Sequence, residues 1–387
     1  MSDELYQMRR ALELAGRGIG LVSPNPVVGS IVVDSAGKKV GEGTHTYDGV
    51  KHAEVLALEQ AAGRARSGTL YLNLEPCSHH GRTSPCADAI IAAGIRRVVC
   101  SMLDPNPQVS GAGIAKLRAA GIQVDVGLFE AEAKKLNESF AKYIRTTLPF
   151  VTLKSAMTLD GKIAAAAKPG TDTASSTPES EGARTGHHWI TGELARAHVQ
   201  QLRHAHDAIL VGVGTVIADD PLLTDRSGLA RRRPLLRVIL DSFLRLPNTS
   251  RIVKTAPQDV LVLYSSADES RKRELEVLGV RVEQVASADP DGRPNMTEVV
   301  RHLGQLTITG LLIEGGALVN WAALSTGVVD KLFLYYAPMI FAGTGSVPFA
   351  VGEGYHHISE AARVKSLELH RFGEDFAVEG YLRDPYA

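Results

Sequence analysis

Two short runs place the strongest constraint on this chain of 387 residues. One is the His-Ala-Glu run at 52–54, and the other begins with Cys77 and reaches Cys86 after eight intervening residues. Zinc that performs chemistry is usually held by three protein nitrogen or sulfur ligands, and water takes the fourth tetrahedral position. His52, Cys77 and Cys86 supply such a set, and Glu54 is then the natural proton carrier beside the metal.

Helix signals accompany both runs. The apolar pattern after His52 is typical of a helix start, which places Glu54 in the first turn, near the metal. Ser84 is a suitable N-cap and Pro85 is favoured at the first helical position, so a second helix is expected to begin at Pro85, just before Cys86. Because a helix N-terminus and a divalent cation both stabilise a thiolate, each cysteine is expected to bind as the anion.

Each of these features is weak alone, because a lone cysteine pair is more often part of a core than of a metal site. Their order, separation and helical context agree, however, and together they predict a zinc centre with an open position. A structural zinc is the alternative, and it would need a fourth protein ligand such as His45, His79 or His80. The third cysteine, Cys100, lies in an apolar run and is interpreted as core packing.

The composition favours an enzyme that acts on a small molecule. The 42 basic and 43 acidic residues indicate no broad charged surface for a nucleic acid or a membrane. Three cysteines are too few for a disulfide framework, which suits a reducing compartment. With no signal-peptide pattern and no apolar run of spanning length, the sequence predicts a cytoplasmic protein.

The length and the order of elements predict two α/β domains. A hydrophobic content of 44% is sufficient for buried cores, and 387 residues exceed one typical domain. Predicted strands and helices alternate along the chain, which indicates sheets with helices on both faces. A Thr-Thr-Leu-Pro break at 146–149 predicts the boundary, with one domain over 1–147 and the other over 148–387.

The first half closely resembles a known family. The stretch EPCSHHGRTSPC at 75–86, with HAE at 52–54 and SPNPVVG at 23–29, resembles the deaminase half of the bifunctional deaminase/reductases of riboflavin biosynthesis. The generic zinc-deaminase signature has two residues between its cysteines, whereas this chain has eight. This departure is itself part of the resemblance to the riboflavin family.

The second half resembles the reductase half of the same family. The run LKSAMTLDG at 153–161 matches the pattern that opens it, and GVGT at 212–215 with ADDPLLT at 218–224 matches a later part. A third match is the Glu-Gly-Gly run at 314–316, which follows an apolar strand and precedes a helix. Glycines there let a backbone approach phosphate groups, and a helix N-terminus favours anions.

The resemblance implies a fold and two consecutive reactions. The implied fold is an N-terminal cytidine-deaminase-like α/β/α layered domain, followed by a dihydrofolate-reductase-like α/β domain. The implied chemistry is zinc-dependent hydrolytic deamination of a phosphoribosylated diaminopyrimidinone to the 5-amino-uracil, then NADPH-dependent reduction of its ribosyl group to ribityl. The implied cofactors are one Zn²⁺ per chain and NADPH, and homo-oligomerisation is implied as well.

The resemblance also implies three sets of binding residues. The deaminase substrate contacts fall on Asn25, His45, Arg82, Asp104 and Asn106. The reductase substrate contacts fall on Lys154, His187, Arg203, Leu223, Arg226 and Glu314, where His187 replaces a serine common in the family. The cofactor contacts fall on Ala156, Trp189, Thr215, Asp219, Gly315, Gly316, Ala317 and Leu318. Taken alone, the asparagine is a turn residue, the histidine a surface residue and the arginines solvated charges.

Two other hypotheses remain open at this stage. One is a single-activity deaminase for a free or tRNA base, with a second half that only binds a nucleotide. The other is a non-enzymatic binding protein stabilised by zinc, which would unfold on chelation. The segment 165–186, rich in Ala, Thr, Ser, Gly and Pro, is predicted to be a long mobile loop.

Overall fold

The computed structural model describes residues 3–81, 83–166, 189–256, 258–287 and 292–387. Arg82, His187 and most of the segment 165–186 lie outside the described residues. The expectations for them therefore stay predictions.

The first half forms a three-layered α/β/α unit. Its elements are α1 (Asp3–Gly16), β1 (Gly29–Val33), β2 (Lys39–Thr44), α2 (Ala53–Ala61), a short 3-10 helix (Ala62–Ala65), β3 (Thr69–Leu72), α3 (Cys86–Ala92), β4 (Arg97–Cys100), α4 (Ala112–Ala119), β5 (Gln123–Val126) and α5 (Glu130–Thr146). The strands lie in the order β2-β1-β3-β4-β5. Strand β1 is antiparallel to β2 and β3, and β3, β4 and β5 are mutually parallel.

Alternating side chains of the strands explain the layers. Ile31 of β1 and Val99 of β4 pack with α1, whereas their neighbours Val32 and Val98 join the core under α2, α3 and α4. Successive residues of a strand point to opposite faces, so a sheet with apolar residues at every position must be covered on both sides. The predicted layered deaminase-like fold is confirmed.

The second half forms a larger mixed sheet. Its elements are β6 (Phe150–Thr158), β7 (Lys162–Ala164), α6 (Glu193–Ala205), β8 (Ala208–Gly212), α7 (Val213–Asp219), β9 (Leu236–Leu240), α8 (Arg251–Lys254), β10 (Val260–Tyr264), α9 (Glu269–Val277), β11 (Arg281–Gln284), α10 (Met296–Gln305), β12 (Gly310–Ile313), α11 (Ala317–Ser325), β13 (Lys331–Ala337), β14 (Val347–Pro348), β15 (Lys365–Phe372) and β16 (Asp375–Tyr381). Nine described strands follow the order β11-β10-β9-β8-β12-β6-β13-β16-β15, and β7 pairs with β14 separately.

Strand direction changes only near one edge of this sheet. The strands from β11 to β13 are parallel, and β16 and β15 add antiparallel pairs at the end. Leu210 and Ile209 of β8 belong to cores on opposite faces, so helices cover both sides. The carboxyl ends of β6, β8 and β12 lie together, which is where open α/β sheets bind ligands.

One local prediction, the N-cap of α3, needs correction. Pro85 is the N-cap of α3 and Cys86 its first residue, so Ser84 is not the cap. Proline lacks an N–H and is tolerated at either position, so the pattern alone did not separate them. Thr215 lies inside helix α7, which begins directly after β8.

Helix α5 joins the two halves. Its Lys142 forms a buried ion pair with Asp330, and Lys331 of β13 donates to Glu138 of α5 at 2.7 Å. Side chains on another face of α5, including Asn137, contact the first sheet region instead. Within the described residues, no helix is both long enough and apolar enough to cross a bilayer.

Candidate active sites

The three predicted metal ligands converge in the first half. The Nδ1 atom of His52 lies 3.1 Å from the Sγ atom of Cys86 and 3.6 Å from the Sγ atom of Cys77. Tetrahedral zinc with bonds of about 2.0 to 2.3 Å places its ligand atoms roughly 3.5 Å apart. The donor set and its spacing therefore fit a zinc ion. In the described part of the chain, this group of potential ligands has no fourth member, as an open site requires.

Three elements bring these ligands together. His52 is the N-cap residue of α2, and Cys86 is the first residue of α3. Cys77 follows β3, at the edge of the sheet where the parallel strands β3 and β4 end. Two helix N-termini thus meet at the carboxyl end of the sheet, and their partial positive charge favours thiolates there.

The thiols of Cys77 and Cys86 have their pKa values shifted in opposite directions. The backbone N–H of Cys86 donates to the Sγ atom of Cys77 at 3.3 Å. The hydrogen bond from the Cys86 thiol, helped by one from His52, lowers the pKa of Cys77 to about 4. The same bond to Cys77 raises the pKa of Cys86. One thiolate is thus formed readily, and thiolate is the form that binds zinc.

Glu54 lies in the first turn of α2 and is almost completely buried, with 3% of its surface exposed. Its Oε2 atom has no hydrogen-bond partner among the residues that the structure describes. Burial raises the pKa of this carboxyl group. A buried carboxylate oxygen without a protein partner is costly, and such an atom is suited to a substrate or a water.

Asn25 and His45 meet beside the metal group. The Nδ1 atom of His45 lies 3.0 Å from the carbonyl oxygen of Lys51, which can only accept, so Nδ1 carries the proton. The Nε2 atom then accepts a hydrogen bond from the side-chain amide of Asn25 at 3.1 Å. The centroid of the His45 ring lies 5.2 Å from that of His52. His45 is buried, so it is not a surface histidine.

Glu75 orders the loop that follows β4, a role that sequence reasoning missed. Its Oε2 atom accepts from the backbone N–H of Asp104 at 3.0 Å and of Gly111 at 2.9 Å. Its Oε1 atom accepts from Gly113 at 2.8 Å and Ile114 at 3.2 Å. The position of Glu75 at the start of the Glu-Pro-Cys run was visible, but these backbone donors come together only in the fold.

Asp104 and Asn106 lie at the start of this ordered loop. The backbone N–H of Asn106 donates to the Oδ1 atom of Asp104 at 2.8 Å. Burial raises the pKa of Asp104 to about 6. Both residues therefore belong to the same loop after the sheet edge that carries Cys77, while Arg82 lies outside the described residues.

A buried charged cluster marks the second half. Arg203 of α6 holds Glu314 with two hydrogen bonds, from Nε at 2.8 Å and from Nη2 at 3.1 Å. The Nζ atom of Lys154 lies 3.3 Å from Glu314 Oε2. Burial alone would raise the pKa of Glu314, but the charges of Lys154 and Arg203 outweigh it and lower the pKa to about 2. Three predicted contacts from three elements thus form one polar group.

The loop after α7 reaches this cluster through its backbone. Arg203 donates from Nη1 to the carbonyl oxygen of Thr224 at 3.0 Å. The preceding Leu223 is buried and has a positive φ of 54°, so the loop turns sharply there. Arg226 is exposed, and its backbone N–H donates to the side chain of Gln200. The structure brings Leu223 to the cluster, whereas the Arg226 side chain lies on the surface.

Two helix starts adjoin at the predicted cofactor edge. Strands β8 and β12 are parallel neighbours, and they lead into α7 and α11. A Cβ atom placed on Gly316 would lie 3.4 Å from Thr215 Oγ1, which is ordinary contact. A Cβ atom on Gly315 would lie 2.6 Å from the Cβ atom of Val319. Gly315 is therefore required by packing on α11, whereas Gly316 leaves room on the side of Thr215.

The remaining predicted cofactor residues are more dispersed. Leu318 is 51% exposed and follows the buried Ala317 in the first turn of α11. Ala156 lies two residues after Lys154 on β6, so both face the same side. Asp219 is the last residue of α7. Trp189 is 66% exposed and lies 5.5 Å beneath the guanidinium of Arg196.

A second group with potential metal ligands is an ion-pair network instead. It consists of Glu368, His370 and Glu379. Glu379 already pairs with Lys331 at 2.7 Å and with Lys135 at 3.1 Å. The two lysines therefore balance the charge of the Glu379 carboxylate. By contrast, the Oε2 atom of Glu54 has no hydrogen-bond partner among the described residues.

Two family models match the chain. The model of the RibD C-terminal domain matches residues 149–378. The model of the cytidine and deoxycytidylate deaminase zinc-binding region matches residues 1–102. The zinc-binding description agrees with the donor set found in the first half.

Curated relatives and solved structures agree over nearly the whole length. The riboflavin biosynthesis protein RibD of Aquifex aeolicus (strain VF5) is 41% identical over 377 residues, which cover 97% of each chain. That of Escherichia coli (strain K12) is 38% identical and covers 97% of this chain and 98% of the relative. The structure of Acinetobacter baumannii RibD, form 1, matches with a TM-score of 0.79 at 35% identity, covering 98% of both chains.

A further solved structure carries the names of both activities. It is the diaminohydroxyphosphoribosylaminopyrimidine deaminase/5-amino-6-(5-phosphoribosylamino)uracil reductase of Thermotoga maritima, with a TM-score of 0.78, 36% identity and 98% coverage of each chain. Identity of this extent over both halves excludes a chance likeness of single motifs. The chain therefore belongs to the RibD family, and it is a bifunctional enzyme of riboflavin biosynthesis that joins a zinc-dependent deaminase to an NADPH-dependent reductase.

Proposed function

We propose that this enzyme deaminates 2,5-diamino-6-(5-phosphoribosylamino)pyrimidin-4(3H)-one and then reduces the ribosyl group of the resulting 5-amino-uracil to ribityl. The observation that carries the first step is the buried Glu54 carboxylate beside the group His52, Cys77 and Cys86. The names of both substrates stand in the description of the Thermotoga maritima relative. The two remaining sequence hypotheses, a single-activity deaminase and a non-enzymatic binding protein, lack this support.

In the deaminase half, His52, Cys77 and Cys86 hold the metal and Glu54 moves the proton. When bound, zinc supplies an activated water near neutral pH. Glu54 is not a ligand, and its Oε2 atom is placed to take up a proton and to return it to the leaving amine. Because burial raises the pKa of Glu54, its protonated form is easier to reach near neutral pH than for an exposed glutamate.

We assign the pyrimidine ring to Asn25 and His45. The Nδ1–H group of His45 donates to a backbone carbonyl oxygen, so the imidazole ring is held in one orientation. Asn25 presents both an amide donor and a carbonyl acceptor, which suits the edge of an amino-pyrimidinone. Arg82, Asp104 and Asn106 are assigned to the ribose phosphate and its surroundings, where a guanidinium would bind the phosphate.

In the reductase half, we assign the ribosyl phosphate to the cluster around Glu314. NADPH, when bound, supplies the hydride for the ribosyl carbon. Lys154 and Arg203 are partly buried and both pair with Glu314, so the role of these three side chains is to orient the sugar rather than to react with it. Leu223 and Arg226 lie on the adjacent loop, where Arg226 has an exposed guanidinium for the phosphate, and His187 is assigned to the same substrate.

We assign the dinucleotide to the edge formed by α7 and α11. Gly316 lies at the start of α11, where the backbone can approach a phosphate without a side chain in the way. The other residues assigned to this cofactor are Ala156, Trp189, Thr215, Asp219, Gly315, Ala317 and Leu318. All except Trp189 lie on the strand or the two helices that end or begin at this edge of the sheet, or in the turn between β12 and α11.

We divide the chain into a deaminase domain at 1–147 and a reductase domain at 148–387. The supporting observation is that α5 ends at Thr146 and β6 begins at Phe150. A cytoplasmic location is supported by the cysteines, which are all free thiols.

We also propose that the enzyme is a homo-oligomer. The edge strand β15 supports this, because it exposes Leu367 to 57% and Leu369 to 70%. β15 is the last strand of the sheet, and an edge strand presents unpaired N–H and C=O groups that can pair with another chain. Sedimentation velocity of the wild type and of Leu369→Glu checks this point, and an unchanged monomer in both would contradict it.

Ammonia release from the diaminopyrimidinone tests the proposed deaminase step. Glu54→Gln keeps the shape of the side chain but removes the carboxylate, so we expect release to fall about a thousandfold. Glu59→Gln is the matched control, because Glu59 lies on the same helix, is exposed and pairs with Lys51 at the surface. Equal release by wild type and Glu54→Gln would refute the assignment.

A further inference from the structure

The segment 19–25, which ends at Asn25, is held largely by residues of the second half. The Nε2 atom of His204 lies 3.2 Å from the carbonyl oxygen of Ile19. The backbone N–H of Arg232 donates to the carbonyl oxygen of Gly20 at 2.9 Å. These contacts cross from the reductase sheet region into the deaminase half. The segment is therefore positioned by a part of the chain about two hundred positions away in sequence.

Ser23, two residues before Asn25, contacts four residues of the second half, one of which is Thr309, whose hydroxyl lies 3.3 Å from that of Ser23. Its hydroxyl donates to Asp207 Oδ2 at 2.8 Å and lies 3.1 Å from Arg233 Nη2, which donates to it. Its carbonyl oxygen accepts from Arg232 Nη1 at 3.0 Å. Hydrogen bonds that involve charged groups are stronger than neutral ones, so this is a firm anchor.

Arg232 also holds the segment that carries His45. Its guanidinium lies 3.8 Å from the centroid of the Tyr47 ring, and its Nε atom donates to Asp48 at 3.2 Å. The Arg232 side chain is only 21% exposed, so the contact with the ring is partly desolvated. One guanidinium thus touches both the segment of Asn25 and the segment of His45.

The opposite side of this region is held by the first half itself. Asn137 of α5 accepts from the backbone N–H of Val27 at 2.9 Å, and Asn73 accepts from that of Gly29 at 2.9 Å. These bonds fix the chain after Asn25. The chain before Asn25 is held by the second half and by one backbone hydrogen bond of the first half, from the Tyr47 N–H to the carbonyl oxygen of Leu21 at 3.1 Å. Arg232 adds a side-chain link between the same two segments.

We propose that Arg232 of the reductase half is a positioning residue for deamination. By holding Ser23, Tyr47 and Asp48, it sets the distance between Asn25 and His45, which is 3.1 Å between Nδ2 and Nε2. The inference rests on the proposed function, since it takes these two side chains as the contacts of the pyrimidine ring. Loosening the two segments weakens ring binding without touching Glu54 or the metal ligands.

The expected signature is a rise in KM for deamination at unchanged kcat. Loss of interactions made equally in the ground state and the transition state has this effect. A general loss of folded enzyme would instead lower kcat for both reactions and leave each KM unchanged. Reduction of the uracil by the same variant is thus an internal reference for folding.

The experiment measures both reactions on the full chain for Arg232→Ala, Arg232→Lys and Asn25→Ala. Arg301→Ala is the matched control, because Arg301 is an exposed arginine of the second half whose only ion-pair partner among the described residues is Glu298 on its own helix. We expect Arg232→Ala to raise the KM for the diaminopyrimidinone about tenfold, corresponding to the loss of one charged hydrogen bond. Arg232→Lys should recover part of this, and the KM for the uracil should not change.

The outcomes separate this inference from the proposed function. If Asn25→Ala raises the KM but Arg232→Ala does not, the positioning role is refuted and the ring contact stands. If Asn25→Ala leaves the KM unchanged, the proposed ring contact fails and the inference fails with it. If Arg232→Ala lowers kcat for both reactions in parallel, Arg232 serves folding alone and the inference is overturned.

Discussion

At the scale of single residues, the donor set decides what the first half can bind. Two sulfurs and one imidazole nitrogen lie within hydrogen-bond range of one another, and a thiolate is formed readily at Cys77. Without a metal ion, these polar atoms would lie close together beside the buried Glu54, which is energetically unfavourable. A zinc ion held by these atoms would offset this cost, so we expect the zinc content of the protein to depend on Cys77 and Cys86.

Replacing a ligand cysteine should therefore remove zinc. We expect one zinc ion per wild-type chain and less than one tenth of that in Cys86→Ala, roughly the loss expected when one of three ligands is gone. Cys100→Ala is the control, because Cys100 is buried in the core and donates to the carbonyl oxygen of Met102 instead. Metal analysis after purification without chelator measures this. Full zinc content in Cys86→Ala would contradict the assignment.

Glu75 is a second residue whose charge is used structurally. Its carboxylate accepts four backbone N–H groups, two from the loop after β4 and two from the first turn of α4. In Glu75→Gln one acceptor oxygen becomes an NH₂ group that faces two of these donors. We expect the free energy of unfolding to fall by about 2 kcal/mol, the cost of buried unsatisfied donors. Denaturant unfolding measures it, and an unchanged midpoint would contradict the role of Glu75.

At the scale of elements, helix starts carry both candidate sites. Cys86 begins α3, His52 caps α2 and Gly316 caps α11. A helix start leaves backbone N–H groups without partners and a partial positive charge, which favours thiolates and phosphates. The short connections between strands and helices thus determine where each ligand can bind.

Gly316→Val tests the cofactor edge. The position has a φ of −73°, which any residue adopts, and a Cβ atom there meets only ordinary contact with Thr215. The fold should therefore tolerate the change, while the branched side chain occupies the space of the dinucleotide. We expect the KM for NADPH to rise at least about tenfold, with deamination unaffected. Steady-state kinetics check this, and an unchanged KM would exclude cofactor binding at this helix start.

The sequence predicted most elements because apolar periodicity and glycines are local signals. The helix after His52 lies where the pattern placed it, with Glu54 in its first turn. The proximity of His52, Cys77 and Cys86 was also predictable, because their residue types and spacing are specific. Glu75 and Arg232 were not, since their partners are backbone atoms and loops brought near by the fold. The run of arginines at 231–233 was visible in the sequence, but nothing local showed that it faces the first half.

The charged cluster of the second half could be predicted only in part. Lys154, Arg203 and Glu314 are far apart in sequence, and alone each is an ordinary charge. The family resemblance named them, and the structure brings them within hydrogen-bond distance. For Arg226 and His187, the assignment rests on the family resemblance. Arg226 is exposed, and His187 lies outside the described residues.

At the scale of the whole molecule, the two halves share buried polar groups. Lys331 of the second half pairs with Glu138 of α5, and Lys142 of α5 pairs with Asp330. Removing one partner of such a pair leaves an uncompensated buried charge, which costs several kcal/mol. The reductase half therefore stabilises the helix that packs behind the deaminase site.

Acid should destabilise the enzyme partly through His206. This buried side chain accepts from Thr152 and donates to the carbonyl oxygen of Leu202, and burial lowers its pKa to about 4. Its pKa in the unfolded chain is about 6.5. Between these values the unfolded state binds more protons, so the free energy of unfolding decreases as the pH falls from about 6.5 towards about 4.

His206→Gln should weaken this dependence. Between about pH 7.5 and about pH 5, the free energy of unfolding should fall by roughly 2 kcal/mol less in the variant than in the wild type. His357→Gln, at an exposed position, is the control. Denaturant titrations at both pH values measure the difference. The same pH dependence in His206→Gln and wild type would exclude His206 as its source.

The order of the two reactions is the central claim, and NADPH oxidation tests it most directly. Wild type and Glu54→Gln are each given either the diaminopyrimidinone or the already deaminated uracil. We predict that the wild type oxidises NADPH with both substrates and that Glu54→Gln does so only with the uracil. If Glu54→Gln oxidised NADPH equally well with both, reduction would not depend on prior deamination at Glu54, and the assignment of two separate sites acting in this order would be wrong.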